Sequence, residues 1–206
     1  FAQNKTMNYK RKDFNKMANI SAKDVAALRA KTGCGMMECK KALVEADGNM
    51  DEAIKVLRER GLQVAAKKQE RIAAEGIVSI KEANGSAAMI EVNSESDFVA
   101  KNEKFKAFVD TLLDTILQNK PADVDALMAC TISGGSDTVD AALKEQIFVI
   151  GEKLSIRRFV IVDGAVSTYV HGGGSMGVIV KVNLDGIAAG NAQFAECAHN
   201  GALQCA

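Results

Sequence analysis

The chain has 206 residues, 26 of them acidic and 26 basic, and 48% of it is hydrophobic. That length suits one domain or two small ones, and that apolar fraction excludes a chain that is disordered for most of its length. A net charge of zero argues against a large nucleic-acid footprint, and no run of about 18 uncharged apolar residues is present to cross a membrane as a helix.

The elements follow in chain order. Residues 1–16 carry Lys5, Lys10, Arg11, Lys12 and Lys16 against the single acid Asp13, with no helical stripe. They are expected to be a disordered upstream extension, with Met17 as the natural start. Residues 17–61 then read as three short helices. Ser21 and Asp24 form an S-x-x-D capping box opening the first, and Thr32-Gly33-Cys34-Gly35 breaks it. The second runs from about Met36 to Ala46 on the stripe Cys39, Ala42, Leu43, Ala46. Asp47-Gly48-Asn49 ends it, Asn49 caps the third, and Gly61 is expected to close that one. Three helices in so few residues make a compact binding module. Residues 62–75, rich in Ala, Lys and Glu, read as a helical linker.

Residues 76–206 read as a core of small antiparallel sheets packed with helices. Ile77–Lys81 and Ala87–Asn93 form a hairpin around Asn84-Gly85, because a type I′ turn needs positive φ at both central positions. A long amphipathic helix, roughly Glu103 to Asn119, turns Phe105, Phe108, Val109, Leu112, Ile116 and Leu117 to one side. Pro121 starts a short helical piece, and Thr138 to Leu154 is read as another helix. Strands are expected at Ile156–Val162, Val166–Val170 and Val178–Leu184. A last helix, Asn191 to Cys205, is expected to bury Phe194, Ala198, Ala202 and Cys205. The fold class is α+β.

Few residues carry chemistry. The five cysteines, at 34, 39, 130, 197 and 205, form no CxxC pair, and with only two histidines no zinc site and no other metal or cofactor is expected. An odd cysteine count without a secretory signal fits a reducing cytosol. His171-Gly172-Gly173-Gly174 reads like an esterase oxyanion loop, Gly173-Gly174-Ser175-Met176-Gly177 like G-x-S-x-G, and Gly172, Gly174 and Gly177 like G-x-G-x-x-G. All three need a following helix or a separate segment, whereas Val178, Val180 and Val182 alternate as a strand. A wide hairpin turn explains the glycines without a ligand. Asp97-Phe98 places an aromatic beside an acid between a strand and a helix. Its plain reading is a helix cap followed by a core residue. Met36-Met37 is similar: Met36 continues the second helix's stripe and Met37 falls off it, and flexible Met suits a partner surface as well as a core.

Several separated segments together resemble elongation factor Ts (EF-Ts) of the bacterial type. Leu28-Arg29 with Thr32 to Leu43, Asp51-Glu52-Ala53 and Leu57 to Gly61 resemble its N-terminal signature. Glu91 to Lys101 resembles a second, Ile150-Gly151-Glu152-Lys153 with Ile156-Arg157-Arg158 a third, and Tyr169-Val170-His171-Gly172 with Gly177-Val178 a fourth. The resemblance implies that residues 17–61 are a module like a ubiquitin-associated domain. It implies a guanine-nucleotide exchange factor, not an enzyme, working in the cytoplasm on the GTPase EF-Tu with no direct nucleic-acid or membrane partner. Ser96, Asp97, Phe98 and Val99 map onto the family's T-D-F-V segment, which dislocates Mg²⁺ from EF-Tu, with Ser for Thr keeping the hydroxyl. Met36, Met37 and His171 map onto further partner contacts.

The family's common long form continues beyond this chain's last helix, so the second half of the core is expected to be incomplete. Apolar surface there would invite dimerisation. Two other readings are a serine hydrolase built on Ser175 and His199, with few residues after Ser175 for the usual fold, and a ubiquitin-binding helical scaffold built on residues 17–61. Removing residues 1–16 is expected to leave exchange activity and melting temperature unaltered; thermal melts of the two chains check this, and a stability loss above about 1 kcal/mol contradicts it.

Overall fold

Helix ends set the first elements. Ser21 accepts the Asp24 N–H at 3.1 Å and donates its hydroxyl to the Asp24 carboxylate at 2.6 Å, opening α1 (Ala22–Thr32). Gly33 stops it at φ 69°, its N–H on the Arg29 carbonyl at 2.8 Å. After α2 (Met36–Glu45), Asp47 takes the left-handed conformation, Gly48 N–H reaches Leu43 O at 2.8 Å and Asp47 N–H reaches Val44 O at 3.4 Å, the two bonds of a Schellman close. Asn49 Oδ1 then accepts the N–H groups of Asp51 and Glu52 to start α3 (Met50–Lys68).

These elements come from a computed structural model that describes residues 20–183 and 192–206. The chain divides into two compact units: one takes the sequence as far as Gln69 together with Lys144–Gly151, and the other takes Glu70–Leu143 and Glu152–Ala206. The expected extension at 1–16, the start at Met17, the strand end at Leu184 and the side chain of Phe194 lie outside the described residues.

In the first unit Leu28, Cys39, Ala42, Leu43 and Ala53 are fully buried, and Phe148 and Val149 pack against them. Gly61 does not close α3. It is buried in mid-helix, with Phe148 Cβ 3.5 Å from where a Gly61 Cβ would stand. A glycine lowers helix propensity by only about 1 kcal/mol, and burial of Leu57 before it and Ala65 after it carries the helix through. So of the expected linker, residues 62–68 continue α3.

The second unit is built on β1 (Glu75–Ala83) and β2 (Ser86–Ser94), a hairpin whose turn residues Asn84 and Gly85 have φ of 52° and 74°. The strand β3 (Leu154–Asp163) pairs antiparallel with β2, giving the order β1-β2-β3, with an irregularity in register between Glu91 and Val92. Ala88, Ile90 and Val92 are fully buried on one face of β2. Against the sheet lies α5 (Glu103–Asn119), which follows the single turn α4 (Asp97–Ala100). Its buried face is Phe105, Phe108, Val109, Leu112, Leu113, Thr115 and Ile116, with Leu117 only half-buried. Lys81 ties β1 to this helix through Asp110 and Asp114, both at 2.8 Å.

After α6 (Val124–Ala129), helix α7 (Val139–Ile150) ends at Gly151, whose φ of 83° a side chain would resist. Leu154, read from sequence as the end of that helix, is instead the first residue of β3 and is buried there. A second antiparallel pair, β4 (Val166–His171) and β5 (Met176–Lys181), is joined by the glycine run and carries α8 (Ala192–Cys205). Ala198 and Ala202 are buried on α8, but Cys205 is exposed. Among the described residues this is an α+β fold of eight helices and two small antiparallel sheets.

The two glycines at 61 and 177 make opposite predictions. A Cβ on Gly177 would stand 2.6 Å from Val78 Cγ1 and 2.8 Å from Met89 Sδ. Gly61→Ala is expected to stabilise by about 0.5–1 kcal/mol and Gly177→Ala to destabilise by about 1–3 kcal/mol, read from denaturant melts.

Candidate functional site

The second unit's candidate site is the turn that leaves β2. Ser94 ends the strand and donates its hydroxyl to the Ser96 carbonyl at 2.9 Å. Ser96 has extended backbone, φ −125° and ψ 156°, and precedes α4. An N-cap serine ordinarily turns its hydroxyl onto the helix N–H groups. Here it does not cap: its Oγ donates to Glu152 Oε1 at 2.6 Å, and its N–H donates to Glu152 Oε2 at 2.9 Å.

The next residues alternate sharply in exposure. Phe98 is 82% exposed, whereas Val99 is 9% exposed and Ala100 is buried beside it. A phenylalanine side chain gains roughly 1.5–3 kcal/mol on burial, so the ring forgoes that gain within its own fold. The plain reading of Phe98 as a core residue is therefore corrected; Val99 and Ala100 supply the inward contacts. Asp97 is half-buried, and its carboxylate accepts the Lys101 ammonium at 2.7 Å, one helical turn on. That hydrogen bond holds the Asp97 carboxyl below the usual carboxylate range.

In the first unit the candidates are Met36 and Met37, at the start of α2 behind Gly35. They are 55% and 64% exposed. The stripe reading placed Met36 inward. The stripe begins one turn later, at Cys39.

His171 ends β4 and is exposed, its Nδ1 3.1 Å from the Tyr169 hydroxyl. The turn after it explains the glycines. Gly172, Gly173 and Gly174 have φ of 58°, 66° and 108°. The Gly174 carbonyl accepts the Val78 N–H at 2.7 Å, and a Cβ there would stand 3.1 Å from Ile77 Cβ. Ser175 donates its hydroxyl to the His171 carbonyl at 3.2 Å and is followed by β5, not by the helix a nucleophile elbow requires. The His199 ring lies edge-on to Tyr169, with ring centroids 6.3 Å apart. Glu91 and Arg158, the charged residues lining the groove beside Ser175, are paired with each other at 2.7 Å.

Sequence reasoning missed two members of this site. Glu152 lay inside a recognised segment but had no assigned task, and Glu95 was read only as part of the turn. Each acts on a residue more than fifty positions away, and no local periodicity signals such a pairing.

A family model described as "Elongation factor TS" matches residues 95–206, a span that includes the Ser96–Val99 turn, Glu152 and the glycine run.

The difference in exposure between neighbours is testable. Phe98→Ala is expected to change stability by less than about 0.5 kcal/mol, and Val99→Ala to cost about 1–2 kcal/mol, both from urea melts. Equal losses at the two positions would contradict the geometry.

Proposed function

The chain belongs to the elongation factor Ts family, and on that premise we propose that it is a guanine-nucleotide exchange factor for the GTPase EF-Tu, acting in the cytoplasm. The observation that carries this reading is the Phe98 ring, held out in water on a turn whose backbone is bonded before it at the Ser96 N–H and carbonyl and after it by the Asn102 N–H on the Val99 carbonyl. A large apolar side chain kept from its own core is suited to another protein's surface.

The mechanism follows from the chemistry of the bound nucleotide. GDP on a GTPase is held partly by Mg²⁺ bridging its phosphate oxygens. Phe98 wedges beside that site and shifts the partner's groups that ligate the metal. Mg²⁺ requires near-ideal octahedral geometry, so small shifts weaken it. Without the metal the diphosphate charge is poorly compensated, and GDP leaves. Ser96, Asp97 and Val99 set the ring's place on the turn, while Met36, Met37 and His171 supply further contacts to the partner. No bond is made or broken by this chain, so it is an exchange factor and not an enzyme. Coupling is reciprocal: a factor that weakens GDP binding is itself weakened by GDP to the same degree.

Phe98→Ala is expected to slow release of fluorescently labelled GDP from EF-Tu by roughly tenfold or more, the scale of an interface hot spot. Stopped-flow fluorescence at saturating factor measures it. A release rate equal to that of the unaltered chain refutes the wedge.

A further inference from the structure

We propose that Glu152 and Glu95 form a crossed carboxylate clamp that positions the exchange turn, with Glu152 and Ser96 acting on GDP release through Phe98 and not through contact with the partner. This rests on the reading of Phe98 given above. Two stretches of the second unit meet here, the turn after β2 and the turn before β3, and each hands a carboxylate to the other's backbone. Glu152 accepts the N–H and the hydroxyl of Ser96, at 2.9 and 2.6 Å. Glu95 accepts the Lys153 N–H at 2.6 Å and the Arg71 guanidinium at 3.2 Å. Lys153 Nζ closes the set on the Arg71 carbonyl at 2.7 Å.

The geometry does more than join two loops. Ser96 is bonded at its N–H, its hydroxyl and its carbonyl. Its hydroxyl is diverted from helix capping to Glu152. A single-turn helix has little cooperative stability of its own. The direction in which α4 leaves the strand, and so the direction of Phe98 two residues on, is therefore set by Glu152. Hydrogen bonds to an ionised group are about twice as strong as neutral ones, and a two-pronged acceptor fixes rotation as well as distance. The hydroxyl at position 96 thus has an internal task, which Ser and Thr both perform.

The test uses the full chain and purified EF-Tu loaded with fluorescent GDP, with release rates taken across a range of factor concentrations. Glu152→Ala and Ser96→Ala are expected to lower the maximal rate about tenfold, the scale of a lost hydrogen bond to a charged group. The half-saturating concentration stays close to that of the unaltered chain, and the melting temperature falls by only a few degrees, leaving both variants folded at assay temperature. Ser96→Thr restores most of what Ser96→Ala loses, and Glu152→Gln, which keeps one acceptor oxygen, falls between. Added to Phe98→Ala, Glu152→Ala has no further effect. Should the double variant be slower by the full product of the two single effects, the carboxylate works independently of the ring and the clamp's role falls. An unchanged maximal rate in Ser96→Ala and Glu152→Ala, with Phe98→Ala slow, overturns the clamp and leaves the wedge standing; a full rate in Phe98→Ala overturns both. If Glu152→Ala does not fold, Ser96→Ala, which removes one oxygen atom, decides the matter.

Discussion

A carboxylate that accepts two hydrogen bonds from one residue leaves that residue almost no freedom, and the second unit is arranged around such a contact. Glu152 holds Ser96 by its N–H and its hydroxyl. From that fixed point the chain turns Val99 and Ala100 inward and leaves Phe98 outside. Were the turn loose, the ring could fold back onto its own unit, as any hydrophobic side chain on a mobile loop tends to do. Polar anchoring of the backbone keeps an apolar group in water at a place where burial would otherwise win.

The parts legible in the sequence are those governed by near neighbours. Ser21 and Asn49 act at the helix ends they mark, because an N-cap needs only a side chain and an N–H two or three residues away, and Gly33 ends its helix because glycine takes a positive φ without strain. Asn84-Gly85 makes its turn just as locally, because both residues accept positive φ. The stripe on α5 was readable at five positions, but it took Leu117 for Leu113 and left out the buried Thr115, since a full apolar face is wider than the positions that seal completely and spacing places a hydroxyl outward. Boundaries set by tertiary contacts were not readable. Gly61 looks like a stop and is a packing surface for Phe148, and Leu154 continues a helical spacing but belongs to a strand. Met37 falls off the stripe of α2 and is exposed as that spacing implies, but the exposure of Phe98 and Met36 could not be derived from spacing, which assigns both inward. The family resemblance pointed to them.

The glycine run shows how one pattern can mimic several chemistries. Oxyanion loops, nucleophile elbows and dinucleotide turns all need glycine because backbone must approach something closely. In this chain the thing approached is β1 itself: Gly174 bonds to Val78, and Gly177 sits over Val78 and Met89. The sequence signal was a true report of close approach, and only the element that follows it, strand against helix, separates a packing seam from a ligand site.

Anchoring the turn before Phe98 also bears on how quickly a complex can come and go. A flexible segment loses backbone freedom when it docks, at a cost of about 1–2 kcal/mol for each residue ordered. In this turn that loss is taken during folding, so an encounter made through Phe98, as proposed, would demand little rearrangement. In the exchange role proposed above, such a turn would grip through a few rigid atoms and let go without first having to unravel.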